Sequence, residues 1–358
     1  MSFDHLLYTG RAEQILHQIV PGSVLACVTD PPYGLTQYRL DQVRACLQAW
    51  LAGKPYCPTG KGFMGRRWDN WIPGPEVWAP VSTTLTPGGY TLAFSSTRTV
   101  DLLALALRLS GFTILDQLVW LRGRSWPKGK HLDGRYCTTL KGLVEPIVLA
   151  QKPSGQQAVA TLQQYQTGML NVLDTVIRGE AVKTHSNSAE AVLSKGIYGS
   201  GKSGATRQNS RQEQGRFPAN VVISHNWDCA TVQDGGQVVE SRCTAGCPAL
   251  YLGEAASFFA QFQEEPAAFY ADPVGNQERN CGLADRNPGL AVKPVALMKW
   301  LLQLVVPLGT GVVLDPFLGS GSTLLAGDDL GIPIWGIDAD PVMVATAQQR
   351  LTGWRELR

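Results

Sequence analysis

The chain has 358 residues, 44% of them hydrophobic and 17% charged, with a formal net charge of +2. That length exceeds one ordinary core, so one α/β domain with a sizeable insertion is expected. No apolar run approaches the roughly 20 residues of a membrane span, and Met-Ser-Phe-Asp-His at the start lacks the basic and apolar parts of a signal peptide, so a cytoplasmic protein is expected and a membrane partner is not.

The opening third reads as β and α units. Leu6–Tyr8 is a short strand, and Arg11–Val20 places Ile15, Leu16, Ile19 and Val20 on one helical face. Val24–Thr29 is a buried strand that runs into Asp30. A Gly/Pro-rich loop is expected over 35–73, longer than a plain connection requires. Pro75–Leu85 can form a helix, Pro87-Gly88-Gly89 a turn, Tyr90–Ser95 a strand, and Thr99–Ser110 a Leu/Ala-rich helix closed by Gly111. Thr113–Leu121 and Val144–Ala150 are strands joined by a basic loop, which suggests an antiparallel pair at a sheet edge.

The character changes after Lys152. Residues 153–220 are rich in Gln, Ser, Gly and Thr, and 195–216 offers almost no aliphatic residue to a core, so loop or conditional order is expected there. Order returns at Lys293-Pro294, with a helix to about Val306 that buries Val295, Met298, Leu301, Leu302 and Val305. Gly311–Leu314 is a strand into Asp315, Thr323–Leu330 a helix, Ile334–Ile337 a strand into Asp338, and Asp340-Pro341 starts a last helix to Leu351. The sum is a seven-stranded, mostly parallel, doubly wound sheet. Its division is 1–152 for one half, 153–285 for an inserted region, and 286–358 for a second half completing the same sheet.

Charge is clustered rather than large. Residues 122–135 hold Arg122, Arg124, Lys128, Lys130 and Arg135 against Asp133, and residues 54–67 hold Lys54, Lys61, Arg66 and Arg67 without an acid. A single basic run is usually a solvated loop. Two flanking one site suggest a phosphate-lined groove. Eight cysteines are present, four of them between Cys229 and Cys281, and reduced thiols are the default without a secretory signal.

Two strings end strands on the expected ligand-binding edge of the sheet: Asp30-Pro31-Pro32-Tyr33, and Asp315-Pro316-Phe317-Leu318-Gly319-Ser320-Gly321. The glycine turn alone is a weak signal. Asp338, ending the next strand, strengthens it because a carboxylate there can accept both hydroxyls of a ribose. Position 324 is Leu rather than a third glycine, and no Lys follows the turn, so neither a dinucleotide fingerprint nor a phosphate loop fits. An adenosine ligand without pyrophosphate fits best, and S-adenosylmethionine is the common one. In the first string the prolines hold the chain extended and leave the Pro31 carbonyl as a fixed acceptor. Asp30 adds a carboxylate and Tyr33 a flat ring, a set suited to an exocyclic amine on a planar base.

With these strings, Glu145-Pro146-Ile147-Val148-Leu149-Ala150 and Val292-Lys293-Pro294, the chain resembles the amino-methyltransferases of DNA that modify adenine N6 or cytosine N4. The order, catalytic string first and glycine turn last, is similar to the permuted β group of bacteria and phages, and Lys61-Gly62-Phe63-Met64-Gly65 looks like its phage members. The resemblance implies a site-specific enzyme that methylates adenine N6 in double-stranded DNA by base flipping, since many cytosine-N4 relatives have Ser where Asp30 stands. Cytosine N4 is the nearest alternative, followed by RNA or a protein amide, and by a DNA-binding protein without catalysis. Asp30, Pro31 and Tyr33 would hold the flipped base, with Pro32 shaping the turn. Lys293, Asp315, Phe317, Gly319, Ser320, Gly321, Ser322, Thr323 and Asp338, with Asp30, would line the cofactor pocket. Where the family usually has Gly-Asp after the first strand, this chain has Gly10-Arg11, and the familiar His-Pro pair before Lys293-Pro294 is absent. A homodimer and a partner restriction nuclease are further expectations.

The middle region is expected to recognise the target. Arg207, Arg211 and Arg216 are candidates for guanine edges or phosphates, beside Lys61, Arg66, Arg67, Arg122, Arg124, Lys128 and Lys130. Trp68, Trp71 and Trp126 could stack on unstacked bases, although aromatic residues are more often core. His225-x3-Cys229 and Cys243-x3-Cys247, 13 residues apart, fit a structural zinc site, weighed equally against reduced cysteines in a small core. Cys281 could replace any of the four.

Overall fold

The structure is a computed structural model. It describes the chain apart from residues 1–3, 36–37, 61, 63–64, 66, 123–128, 134, 188–207, 227, 264–276, 290–291 and 310, and describes the backbone alone at 67, 131, 179–187, 208–214 and 277. The strands are β1 (Leu6–Thr9), β2 (Val24–Thr29), β3 (Leu85–Phe94), β4 (Thr113–Leu121), β5 (His131–Leu132), β6 (Tyr136–Cys137), β7 (Val144–Gln151), β8 (Ile177–Asn187), β9 (Gln208–Arg216), β10 (Val221–His225), β11 (Ala230–Asp234), β12 (Gln237–Arg242), β13 (Ala260–Gln263), β14 (Val313–Asp315) and β15 (Ile334–Asp338). The helices are α1 (Ala12–Ile15), α2 (Leu40–Leu51), α3 (Pro75–Thr84), α4 (Val100–Leu109), α5 (Ala158–Tyr165), α6 (Pro248–Leu252), α7 (Gln277–Asn280), α8 (Val295–Val305), α9 (Ser322–Leu330) and α10 (Pro341–Glu356).

A nine-stranded sheet in the order β1-β15-β14-β2-β3-β7-β4-β10-β13 organises the molecule. Every pairing in it is parallel except those of β7, which runs antiparallel to both β3 and β4. The seven expected strands are all present. The β4–β7 pair does not close the sheet, however, because β10 and β13 of the middle region extend it past β4. The side chains of Val222, Ile223 and Phe262 explain why: they are buried, so these strands have an apolar stake in the central sheet.

Apolar layers cover both faces. One contains Leu297, Met298, Leu301 and Leu302 of α8 with Leu324 and Leu325 of α9; the other contains Trp50 of α2, Trp78 of α3 and Leu103 and Leu107 of α4. All five residues expected on the buried face of α8 are buried. Asp340 caps α10 by accepting from the Val342 N–H at 2.9 Å.

Three local expectations are corrected. The loop over 35–73 contains α2, whose Cys46 and Trp50 are buried one turn apart, a helical spacing masked by the surrounding Gly and Pro. The Gln/Ser-rich stretch contains α5 and the antiparallel pair β8–β9, which Ile177 anchors in the main core and ladder hydrogen bonds carry onward; residues 188–207 lie outside the described ones. The first helix breaks after Ile15 into a 3-10 turn over Leu16–Gln18, leaving Val20 68% exposed. Among the described residues, no helix is long and apolar enough to cross a membrane.

Candidate active site

Strand direction gathers the site. From β2 the chain moves to β3 on one side, and from β14 to β15 on the other, so the crevice between β2 and β14 is a topological switch point. Asp30 follows β2, Asp315 ends β14 and Asp338 ends β15, all on one edge. Because β7 is antiparallel, its first residues reach that same edge, and Trp120 pairs with Glu145 across the β4 ladder. Arg122 follows β4 immediately.

The two strings are joined directly. Thr29 Oγ1 donates to Asp315 Oδ1 at 2.6 Å, in a buried contact, and the Phe317 N–H donates to the same oxygen at 3.2 Å. Burial pushes the Asp315 carboxyl up to about 6 against the opposing bonds from Thr29 and Thr323. Asp338 Oδ2 accepts from the Gly319 N–H at 2.8 Å and Oδ1 from the Asp340 N–H at 2.9 Å, which fixes the glycine turn to β15. Burial raises its carboxyl too, opposed by those N–H donors. From below, the buried Arg350 of α10 donates to the Ser320 carbonyl at 2.6 Å.

Two glycines show different needs. Gly321 has φ of +84°, and a Cβ there would meet Ala347 Cβ at 2.8 Å, so α10 packs against its bare backbone. Gly319 has φ of +52°, and its Cβ direction meets nothing within 4 Å. Open space over the turn is what a ligand approaching the backbone requires.

A charged network surrounds Asp30. Lys293, 5% exposed, donates to Asp30 Oδ2, and its Nζ lies 3.7 Å from Glu145 Oε2. Tyr33 Oη donates to Asp30 Oδ1 at 2.7 Å and lies 3.2 Å from Glu145 Oε2. Arg122 completes the set, 2.5 Å from Glu145 Oε1 and 4.9 Å from the Trp120 ring centroid. Burial raises the Asp30 carboxyl, and the Lys293 charge opposes the rise. Burial would raise Glu145 as well, but the Arg122 and Lys293 charges outweigh it and hold that carboxyl below its ordinary value. Burial, and then the two carboxylates, keep the Tyr33 phenol firmly protonated.

Asp69 shapes the turn after the first string by accepting the Gly34 N–H at 2.8 Å and the Leu35 N–H at 3.3 Å. Thr99 Oγ1 donates to the Tyr33 carbonyl at 2.8 Å. Asp69, Thr29 and the roles of Glu145 and Arg122 were missed in the sequence, since each acts through contacts made only by folding. Glu145 carried a signal, a lone carboxylate opening an apolar strand.

Other site expectations are redistributed. Lys293 sits on the carboxylates of Asp30 and Glu145 rather than simply opening a helix over the cofactor pocket. Arg122, expected on a phosphate, is committed to Glu145. Ser322 and Thr323 are buried at the start of α9, and Phe317 packs 6.4 Å from Trp78 between centroids. Lys130 is exposed, and Arg216 lies over the Phe258 ring at 4.2 Å. Lys61, Arg66, Arg124, Trp126, Lys128 and Arg207 lie outside the described residues, as do the side chains of Arg67 and Arg211. Trp68 is 60% exposed, whereas Trp71 is buried and stacked on Tyr38 at 3.8 Å, a core role. Cys281 packs in the main core with its Sγ 3.4 Å from the Arg350 carbonyl, separate from the other three clustered cysteines.

A mostly parallel, doubly wound sheet with the Asp30–Tyr33 string beside a glycine turn at its switch point is the architecture of a Rossmann-like methyltransferase fold. The DNA methylase family matches residues 24–349, and the chain belongs to that N6/N4 DNA methylase family. No curated protein matches it by sequence. The cytosine-N4-specific PvuII DNA methyltransferase shares the fold, with 13% identity, a TM-score of 0.51, and coverage of 98% of this chain and 90% of that one. The M1.HpyAVI–SAM complex aligns at 16% identity over 97% of this chain and 100% of that one, with a TM-score of 0.44. A protein of Thermus thermophilus, provisionally described as a DNA modification methylase and complexed with S-adenosyl-L-methionine, aligns at 16% identity over 98% of this chain and 96% of that one, with a TM-score of 0.46.

Proposed function

We propose that this DNA methyltransferase transfers the methyl group of S-adenosylmethionine to the exocyclic N6 of adenine in double-stranded DNA, at a specific sequence and on a base turned out of the helix. The observation that carries the reading is the 2.6 Å bond from Thr29 to Asp315, which seats the amine-binding string against the glycine turn. The residues suit the donor: the space over Gly319 admits a ligand, and the Asp338 carboxylate retains lone pairs for ribose hydroxyls beside its two backbone donors. When bound, S-adenosylmethionine supplies an electrophilic methyl group on a sulfonium sulfur.

The chain's own residues prepare the amine. Asp30 and the Pro31 carbonyl accept its two hydrogens, which draws the nitrogen from planarity and frees its lone pair. The Tyr33 ring stacks on the base, held in one orientation by its hydroxyl contacts to Asp30 and Glu145. Lys293 offsets the cost of ionised Asp30, and Arg122 does the same for Glu145. Asp30 is the nearest base for the proton the methylated amine sheds, and its raised carboxyl suits that task.

Residues 153–285 serve as the recognition region, with exposed basic side chains such as Lys130 on phosphates. Asp at position 30 favours adenine, because many cytosine-N4 relatives in this family have Ser there. Treated duplex DNA digested to nucleosides should contain N6-methyladenine. N4-methylcytosine alone would overturn the base assignment, and transfer to RNA but not duplex DNA would overturn the substrate class. Asp30→Ala should abolish transfer while calorimetric titration still shows S-adenosylmethionine binding; an active variant would remove Asp30 from its role.

A further inference from the structure

We propose that His225, Cys229, Cys243 and Cys247 form a closed structural zinc site that fastens the β11–β12 hairpin and α6 to the edge of the central sheet. His225 ends β10, Cys229 lies just before β11, Cys243 just after β12, and Cys247 precedes α6. Folding brings one donor atom from each within 4.8 Å of all the others. The edges have the right size. Zn–S of about 2.3 Å and Zn–N of about 2.0–2.1 Å at tetrahedral angles require N–S edges near 3.6 Å. His225 Nδ1 lies 3.4 Å from Cys243 Sγ and 3.6 Å from Cys247 Sγ.

The surroundings independently suit a metal. His225 Nε2 is 2.9 Å from Gln261 Oε1 on β13, so that nitrogen holds the ring proton and Nδ1 turns its lone pair to the three sulfurs. The Thr244 N–H donates to Cys229 Sγ at 3.4 Å, a contact that offsets thiolate charge. Gly246, with φ of +85°, turns the chain tightly between Cys243 and Cys247. His225 and Cys247 are fully buried, and Cys229, Cys243 and Cys247 are all free of disulfides. The ion would displace the three thiol protons to solvent, leaving Zn2+ with three thiolates and one neutral imidazole. No coordination position would remain for a reaction.

Energetics give the site its purpose. Among the described residues, the small core here contains, apart from the cysteines, only Ala249, Ala256 and the partly buried Leu252, too little to hold a lobe. The same lobe walls a cleft of about 410 Å³, where Gly246, Pro248 and Tyr251 face Leu121, Arg122 and Leu143. Zinc would therefore hold one wall beside the Arg122–Glu145 pair, without taking part in methyl transfer.

The test is metal analysis of the full-length chain. Protein purified under reducing conditions should carry about one zinc per chain, and Co2+ substitution should give the absorption bands of a tetrahedral thiolate site. Cys243→Ser and Cys247→Ser should lower the zinc content at least several-fold, while Cys57→Ser, at an exposed position outside the cluster, should retain it. The proposal is overturned if the unmutated protein carries under about a tenth of an equivalent both as purified and after exposure to Zn2+, or if the serine variants retain full zinc. The unmutated measurement decides even if a variant fails to fold, and none of these readouts requires methyl transfer.

Discussion

Replacing Lys293 with Met tests the network around Asp30 most directly. The ammonium is 5% exposed and serves two carboxylates, in direct contact with Asp30 and 3.7 Å from Glu145. At that separation and an effective dielectric near 20, the Glu145 contact alone amounts to on the order of 4–5 kcal/mol before desolvation. Relief of the buried ammonium offsets part of this, and breaking such a pair typically costs about 3–5 kcal/mol. We expect Lys293→Met to lose about 3 kcal/mol in urea unfolding at pH 8. The loss should depend on pH. The Asp30 carboxyl already lies above its ordinary value, so its protonated form contributes stability that is full at low pH and lost as pH rises through the folded pKa. Removing Lys293 moves that folded value higher, so the variant retains this contribution to higher pH and its deficit narrows on acidification. Unfolding curves at pH 8 and pH 5.5, with unchanged m-values, would measure the difference. A deficit below about 1 kcal/mol, or one constant over that range, would refute the network as described.

Gly319→Ala should reduce S-adenosylmethionine affinity at least tenfold by calorimetry while lowering stability only about 1 kcal/mol, since its Cβ meets open space but its φ is left-handed. Unchanged affinity would remove the turn from the cofactor site. Asp315→Asn should stabilise the ligand-free protein by up to about 3 kcal/mol at pH 8, and by less at pH 5. With the folded carboxyl at about 6, the contribution of protonated Asp315 is full below about pH 4 and lost as pH rises through 6, and Asn removes that loss while its carbonyl still accepts from Thr29 and Phe317. Equal unfolding midpoints for the two proteins at pH 8 would contradict the buried charge.

Elements with a period or a cap were legible in the sequence. Five apolar positions at helical spacing defined α8, Asp340-Pro341 defined the start of α10, and the apolar runs into Asp30, Asp315 and Asp338 marked the crevice edge. The pairing of His225 with three cysteines was legible as spacing, because metal ligands in a small lobe recur at short intervals. Tertiary structure alone decided the contacts between distant residues. Antiparallel β7 carries Glu145 to the crevice, Arg122 turns from an expected phosphate to that carboxylate, and Lys293 crosses from the start of α8 to Asp30. Strand direction and buried charge pairing are set across the sheet, between residues more than 20 positions apart, and no local pattern encodes them.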